Sequence, residues 1–353
     1  NNSGGVPENF YNYFVAEFDK DFELNHTWGD DWVLAENTLN NKGKHVGAII
    51  GFKTGKGEEV HVKVASSFIS HEQATLNLKT EIGNDTFEQT KEKAKQSWET
   101  ELNRIVIEDD NIDNIRTFYS CLYRVLLFPR KFYEYDADGN VMHYSPYNGE
   151  VLPGYMFTDN GFWDTFRAVF PFFNMMYPEL NSHIMEGLAN TYKESGWLPE
   201  WASPGHRDCM VGSNSATIIA DAYLKGIRKY NVEKAFKAMK HSATRDTLGL
   251  DSYKNFGFIP VEKESESVSK TLEYAYDDWT IAQMAKDLGK EEDYKTYTER
   301  AQSYKNVFDP NTQFMRGRFR NTWFAPFDPY EVNFNYTEAN SLQYSFYVPQ
   351  AIS

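Results

Sequence analysis

The segment Gly161-Phe162-Trp163-Asp164-Thr165-Phe166-Arg167 sets an indole beside a carboxylate at what reads as the start of a helix. An indole offers a flat apolar platform to the C–H face of a pyranose, and a carboxylate accepts hydrogen bonds from its hydroxyls. Alone, the same segment is ordinary material: a buried indole with an N-cap carboxylate. Three later stretches add weight to the chemical reading. Gly196-Trp197-Leu198-Pro199-Glu200-Trp201 runs on through Gly205-His206-Arg207-Asp208 to Met210-Val211-Gly212. The others are Leu272-Glu273-Tyr274-Ala275-Tyr276-Asp277-Asp278-Trp279 and Asn333-Phe334-Asn335-Tyr336-Thr337-Glu338-Ala339-Asn340. Each mixes aromatic and acidic residues, and each is expected before or at a helix start. If alternate helices of a ring run parallel, those starts meet at one mouth and the four clusters line one cavity.

The elements that must position these residues fall into two regions. The first eighty residues read as strands. Val60, Val62 and Val64 alternate with His61 and Lys63, Val46 to Phe52 is a short apolar run, and Leu76 and Leu78 with Lys79 suggest a further strand. From Thr86 to Ile105 the spacing of Phe87, Ala94, Trp98, Leu102 and Ile105 predicts a long connecting helix. Beyond it the chain is mainly helical, with pairs opening near Trp163, Asn214, Asp278 and Glu338 and second helices near Leu180, Val232 and Glu291. A period of about fifty to sixty residues of helix pairs points to a toroid or solenoid of α-hairpins. The expected organisation is therefore α+β and multidomain: residues 1–84 as the end of a β-sandwich, 85–110 as a linker helix, and 111–353 as the first part of a helical toroid.

Composition removes several function classes. A net charge of −15 lacks the basic face that nucleic-acid phosphates demand. No window approaches the ~20 apolar residues of a membrane span. Aromatic residues reach 16%, which suits both core packing and a carbohydrate cleft. Cys121, on what reads as an apolar helix face, and Cys209, in a loop, are expected as free thiols. The eight histidines show no metal spacing, no EF-hand pattern appears, and neither a nucleophile elbow nor a P-loop is present.

Taken together, Tyr155-Met156-Phe157-Thr158-Asp159-Asn160 leading into GFWDTFR, then GWLPEW, GHRDCMVG, SKTLEYAYDDW and YTEANSLQY, resemble the calcium-dependent α-mannosidases of glycoside hydrolase family 92. Weaker agreement reaches back to Ser67-Phe68-Ile69-Ser70 and Glu72-Gln73-Ala74. The resemblance implies an N-terminal β-sandwich joined to an (α/α)6 barrel, here partial, and removal of terminal α-mannose from mannan or N-glycans with inversion. It also implies a periplasmic or secreted setting and a Ca2+ ion whose ligands lie mostly outside this chain. Two departures matter: the sequence begins inside the sandwich, and it stops before the motif that carries the family's catalytic base. The chain is accordingly expected to be a fragment, inactive by itself.

Inversion requires an acid that protonates the leaving oxygen and a base that activates water across the ring. Glu338 matches the family's general acid. An apolar setting of Phe334, Tyr336 and Tyr344 would favour its protonated form, whereas a helix N-terminus would favour the ionised form. Trp163 and Asp164 are expected to grip the terminal sugar, with Trp201, Glu200, His206, Arg207 and Gln343 as further contacts. Arg207 and Asp208 equally read as a local ion pair, and Glu338 as a plain first-turn carboxylate. Two other functions stay open: a non-catalytic glycan-binding or scaffold module, and an (α/α)6 glycosidase acting on another sugar.

Overall fold

The computed structural model describes residues 5–352, which divide into two compact units. The smaller unit holds Tyr11–Glu101 with Asp136–Asp138; the larger holds Leu102–Tyr135 and Gly139–Ser353 together with the N-terminal residues through Phe10.

In the smaller unit, β1 (Tyr13–Phe18) pairs antiparallel with β5 (Val62–Ser67), and β2 (Leu24–Trp28) pairs with both β3 (Leu34–Glu36) and β4 (Gly47–Gly51). The alternation around Val62 and Val64 does form a strand, but its sense is inverted. Val62 and Val64 are 51% and 54% exposed, while Lys63 is partly covered and donates to the Gly83 carbonyl at 2.6 Å. The strand expected at Leu76–Lys79 is helical instead: α1 spans His71–Asn77 and a π-helix follows over Leu78–Ile82. Ser70 decides this locally, because its hydroxyl accepts the Gln73 N–H at 3.1 Å and caps the helix. The helix α2, Phe87–Leu102, has no buried residue, so its predicted apolar side packs into no core.

The larger unit is mainly helical. After α3 (Ile112–Val125) come a short α4 (Phe162–Thr165), α5 (Val169–Met176) and α6 (Pro178–Ser195). They are followed by α7 (Asn214–Leu224), α8 (Val232–Ser242), α9 (Leu250–Phe256), α10 (Ser267–Asp287), α11 (Glu291–Arg300) and a four-residue α12 (Ser341–Tyr344). Local chemistry sets several boundaries. Pro178 opens α6, and Gly196 closes it at φ +86. The Asn231 side chain accepts the Lys234 N–H to cap α8. Phe170, Phe173, Ile184, Met185, Ile219, Phe236, Met239 and Ile281 form one apolar core among these helices. Cys121, expected on an apolar face of α3, is instead exposed, and it and Cys209 are free.

Two expected helix starts move. Leu272–Trp279, read as a loop before a helix, lies inside α10, most of whose residues are buried, among them Lys270, Glu273, Asp277 and Asp278. A helix enclosed on most sides shows no polar stripe, so periodicity cannot find its beginning. Glu338 stands three residues before α12, at φ +51, outside any helix. Asn340 caps α12 instead, its side chain accepting the Gln343 N–H while Gln343 Oε1 accepts the Asn340 N–H.

Candidate active site

A small three-stranded sheet joins two of the motifs. Asn160–Gly161 pairs with Trp201–Ala202, which pairs in turn with His206–Arg207, placing Gly161, Trp201 and Arg207 in one row. Gly161 is needed there because a Cβ would lie 2.0 Å from the Trp201 Nε1 and 3.1 Å from an Asp164 oxygen. Gly161→Ala is expected to push the indole aside at a cost of about 1–3 kcal/mol, read as a lower urea midpoint with an altered tryptophan emission.

Trp163 and Glu338, far apart in sequence, line one open hollow of about 290 Å³ in the larger unit, together with Arg167, Gln343, Tyr344 and Tyr347. The helix-terminus argument against a protonated Glu338 does not apply, since that residue lies outside α12. Of the three aromatic residues expected around it, only Tyr344 lines the hollow. Tyr336 is buried, its hydroxyl donating to the Met315 carbonyl at 2.8 Å, and Phe334 is 51% exposed.

Glu273, which sequence reasoning left out of the site, organises the base of this hollow. Its Oε1 accepts from Trp163 Nε1 at 2.8 Å and Arg167 Nη2 at 3.2 Å, and its Oε2 accepts from the Tyr347 hydroxyl at 2.7 Å. Fully buried, its carboxyl titrates above the ordinary range; burial raises it most, and the Arg167 charge and three hydrogen bonds offset part of that. Arg167 also packs its guanidinium over the rings of Trp163 and Tyr347, at 5.1 Å from each. The chain thus holds the indole, a cation and a phenol around one carboxylate whose charge faces inward. One turn along α10, Asp277 accepts the Ser213 N–H and the Thr217 hydroxyl. Asp278 accepts from Tyr253 and Arg300, and burial pushes its carboxyl up to about 6.

The expected site residues do not share one cavity. Glu200 and His206 line a separate hollow of about 590 Å³ with Trp197, His241, Thr244 and Arg245. Trp201, Asp164 and Arg207 belong to neither hollow. Trp201 packs on Gly161, Asp164 is exposed beside it, and Arg207 donates through Nε and Nη2 to the Ser203 carbonyl. One mouth does not gather all four clusters: Glu273 of the third reaches the base of the Trp163–Glu338 hollow from inside α10, while Glu200 and His206 of the second line the separate hollow.

Glu200 is buried and pairs with Arg245. Burial, outweighing that cation, raises its carboxyl to about 6. A carboxyl raised in the folded state makes its ionised form a cost, which is relieved as pH falls through about 6 toward the unfolded value. His206, whose Nε2 meets the Ser195 hydroxyl at 2.8 Å, is lowered by burial to about 4 and pulls the opposite way below its unfolded value. The comparison that isolates Glu200 is therefore with Glu200→Gln. Wild-type stability relative to that variant is expected to rise between pH 7 and 4.5, by on the order of 2 kcal/mol. Urea unfolding across that range checks it, and a flat difference contradicts it.

Among the described residues no three His, Cys, Asp or Glu side chains converge as a metal site would require. The buried carboxylates are committed instead to Arg, Tyr, Thr and backbone donors, so the acidic residues here do not fit a calcium cage of six to eight oxygens. Nor, among the described residues, is any helix long and apolar enough to cross a membrane.

Comparison with known proteins then decides the family. The catalytic-domain model of glycosyl hydrolase family 92 matches residues 73–353, and that family's N-terminal-domain model matches 1–67. The chain belongs to glycosyl hydrolase family 92. An inverting mannosidase of this family from Bacteroides thetaiotaomicron VPI-5482 is 41% identical, with a TM-score of 0.94 over 99% of this chain and 48% of that one. A family GH92 α-mannosidase from Bacteroides thetaiotaomicron is 34% identical, with a TM-score of 0.86 over 98% and 48%. An uncharacterized secreted glycosidase of Arthroderma benhamiae is 29% identical over 282 residues, which cover 73% of this chain and 32% of that protein. The chain therefore spans about half the length of the solved family GH92 relatives and a third of the fungal one.

Proposed function

We propose that this chain carries the acid half of an exo-acting, inverting α-mannosidase, with mannose-containing glycans as substrate. The observation that carries the reading is the shared hollow of Trp163 and Glu338, two residues 175 positions apart by their numbers (338 − 163). Glu338 donates its proton to the departing glycosidic oxygen. Trp163, held by Glu273, presents its indole to the sugar's C–H face, Gln343 takes a hydroxyl, and Asp164, next to Trp163 in the chain but outside the lining of the hollow, reaches a hydroxyl only from its edge. The base, about 6.5–9.5 Å from the acid in an inverting site so that a water fits between them, is not assigned to any residue of this chain. The order of the matched family domains, N-terminal and then catalytic, supports the β-sandwich and (α/α)6 barrel that the motifs imply, of which this chain forms part. The family's calcium would be held outside the acidic residues described above. A secreted or periplasmic setting is supported by the fungal relative's description.

The test is hydrolysis of p-nitrophenyl α-mannoside against the α-glucoside by the polypeptide extended to its relatives' length. Mannoside turnover with an inverted product supports the proposal. Preference for glucoside, or sugar binding without turnover, favours the other two functions.

A further inference from the structure

The larger hollow, at about 590 Å³, lies within the ~300–1,000 Å³ typical of small-molecule sites and shares no lining residue with the Glu338 hollow. One wall is a stacked pair: the Trp197 indole lies on the His241 imidazole at 4.3 Å between centroids and 11° between planes. The imidazole is held by its Nδ1, which donates to the Gly196 carbonyl at 2.9 Å. Opposing chemistry comes from Arg245. Its side chain is 9% exposed and bonds Glu200 through Nη2, yet its Nε is buried with no acceptor. The remaining charges are acidic: Glu200, Asp208 and Asp246 face one arginine. That balance repels phosphate or carboxylate ligands and leaves carboxylate acceptors for hydroxyl donors. A flat aromatic wall beside paired donors and acceptors fits a pyranose ring, whose faces are apolar and whose edge is hydroxylated.

We propose that this hollow binds a second hexopyranose of the substrate glycan, with Trp197 as its platform and the guanidinium edge of Arg245 that lines the hollow donating to a ring substituent. The proposal rests on the mannosidase reading only for the identity of the sugar.

The experiment is calorimetric titration of the Glu338→Gln polypeptide, in which turnover is blocked, with methyl α-mannoside and with an α-mannotriose. The trisaccharide is expected to bind at least tenfold tighter. Trp197→Ala, and Thr247→Trp filling the hollow from an exposed turn, should each erase that gain while leaving the monosaccharide unchanged. One trisaccharide per chain means that one glycan reaches both hollows and supports the site; two per chain, without the tenfold gain, overturn it. Variants with unaltered thermal melts that still bind the trisaccharide like their parent overturn it. Loss of monosaccharide binding alone, with the Trp197-dependent signal kept, instead sinks the reading of the Glu338 hollow and spares this one.

Discussion

Glu338→Gln is expected to lower kcat on an α-mannoside with a poor leaving group by about 10²–10⁴-fold, the range that a positioned general acid contributes. The amide keeps the size of the carboxyl and lacks the proton that the departing oxygen needs. Because Glu338 is exposed at the hollow and sits outside a helix, the substitution removes no buried contact and leaves the fold alone. The selective reading comes from leaving groups. An activated aryl mannoside departs with little help, so its loss should be much smaller than that of a mannobiose. Equal losses on both substrates would mean that Glu338 binds sugar without donating a proton, and near-normal turnover of mannobiose would remove it from the chemistry altogether.

Glu273→Ala should destabilise the larger unit by about 3–5 kcal/mol, the cost of breaking a buried ion pair from one side. The lower end is expected, because Arg167 keeps 39% of its side-chain surface in water and is partly solvated once its partner is gone. Trp163 and Tyr347 lose their acceptor at the same time, so the indole platform loosens and KM rises along with the fall in stability. Glu273→Gln separates charge from shape. Its amide oxygen still accepts from Trp163 and Arg167, and burial already disfavours the ionised carboxyl more than Arg167 favours it. The glutamine variant should therefore cost markedly less than alanine. Urea unfolding of both variants decides it: an alanine variant within about 1 kcal/mol of wild type would mean that Glu273 organises nothing.

Sequence reasoning reached part of this site by local rules and missed part for want of them. Trp163 stands out in a dense run of aromatic and acidic residues, and Glu338 through the resemblance of its motif to that of the family's general acid. Glu273 sits in a similar run, expected before or at a helix start. Its role depends on donors 110, 106 and 74 positions away, and nothing in its own neighbourhood announces them. The inverted burial of Val62 and Val64 has a comparable origin, since alternation establishes a strand and its period while the face that is covered depends on what packs against it.

What the sequence determined by itself are the features set by interactions within a few residues: the caps of Ser70 and Asn231, the start of α6 at Pro178 and its end at Gly196. The family also belongs here, because its motifs lie along the chain in order. Tertiary structure alone decided that α10 is an enclosed helix carrying its carboxylates inward, and that Trp163, Glu338 and Gln343 line one hollow, Glu200 and His206 another, and Trp201, Asp164 and Arg207 neither. The physical reason is range. A cap or a turn is closed by neighbours whose distance the backbone fixes, whereas burial and cavity lining arise only when segments a hundred residues apart pack together and exclude water between them.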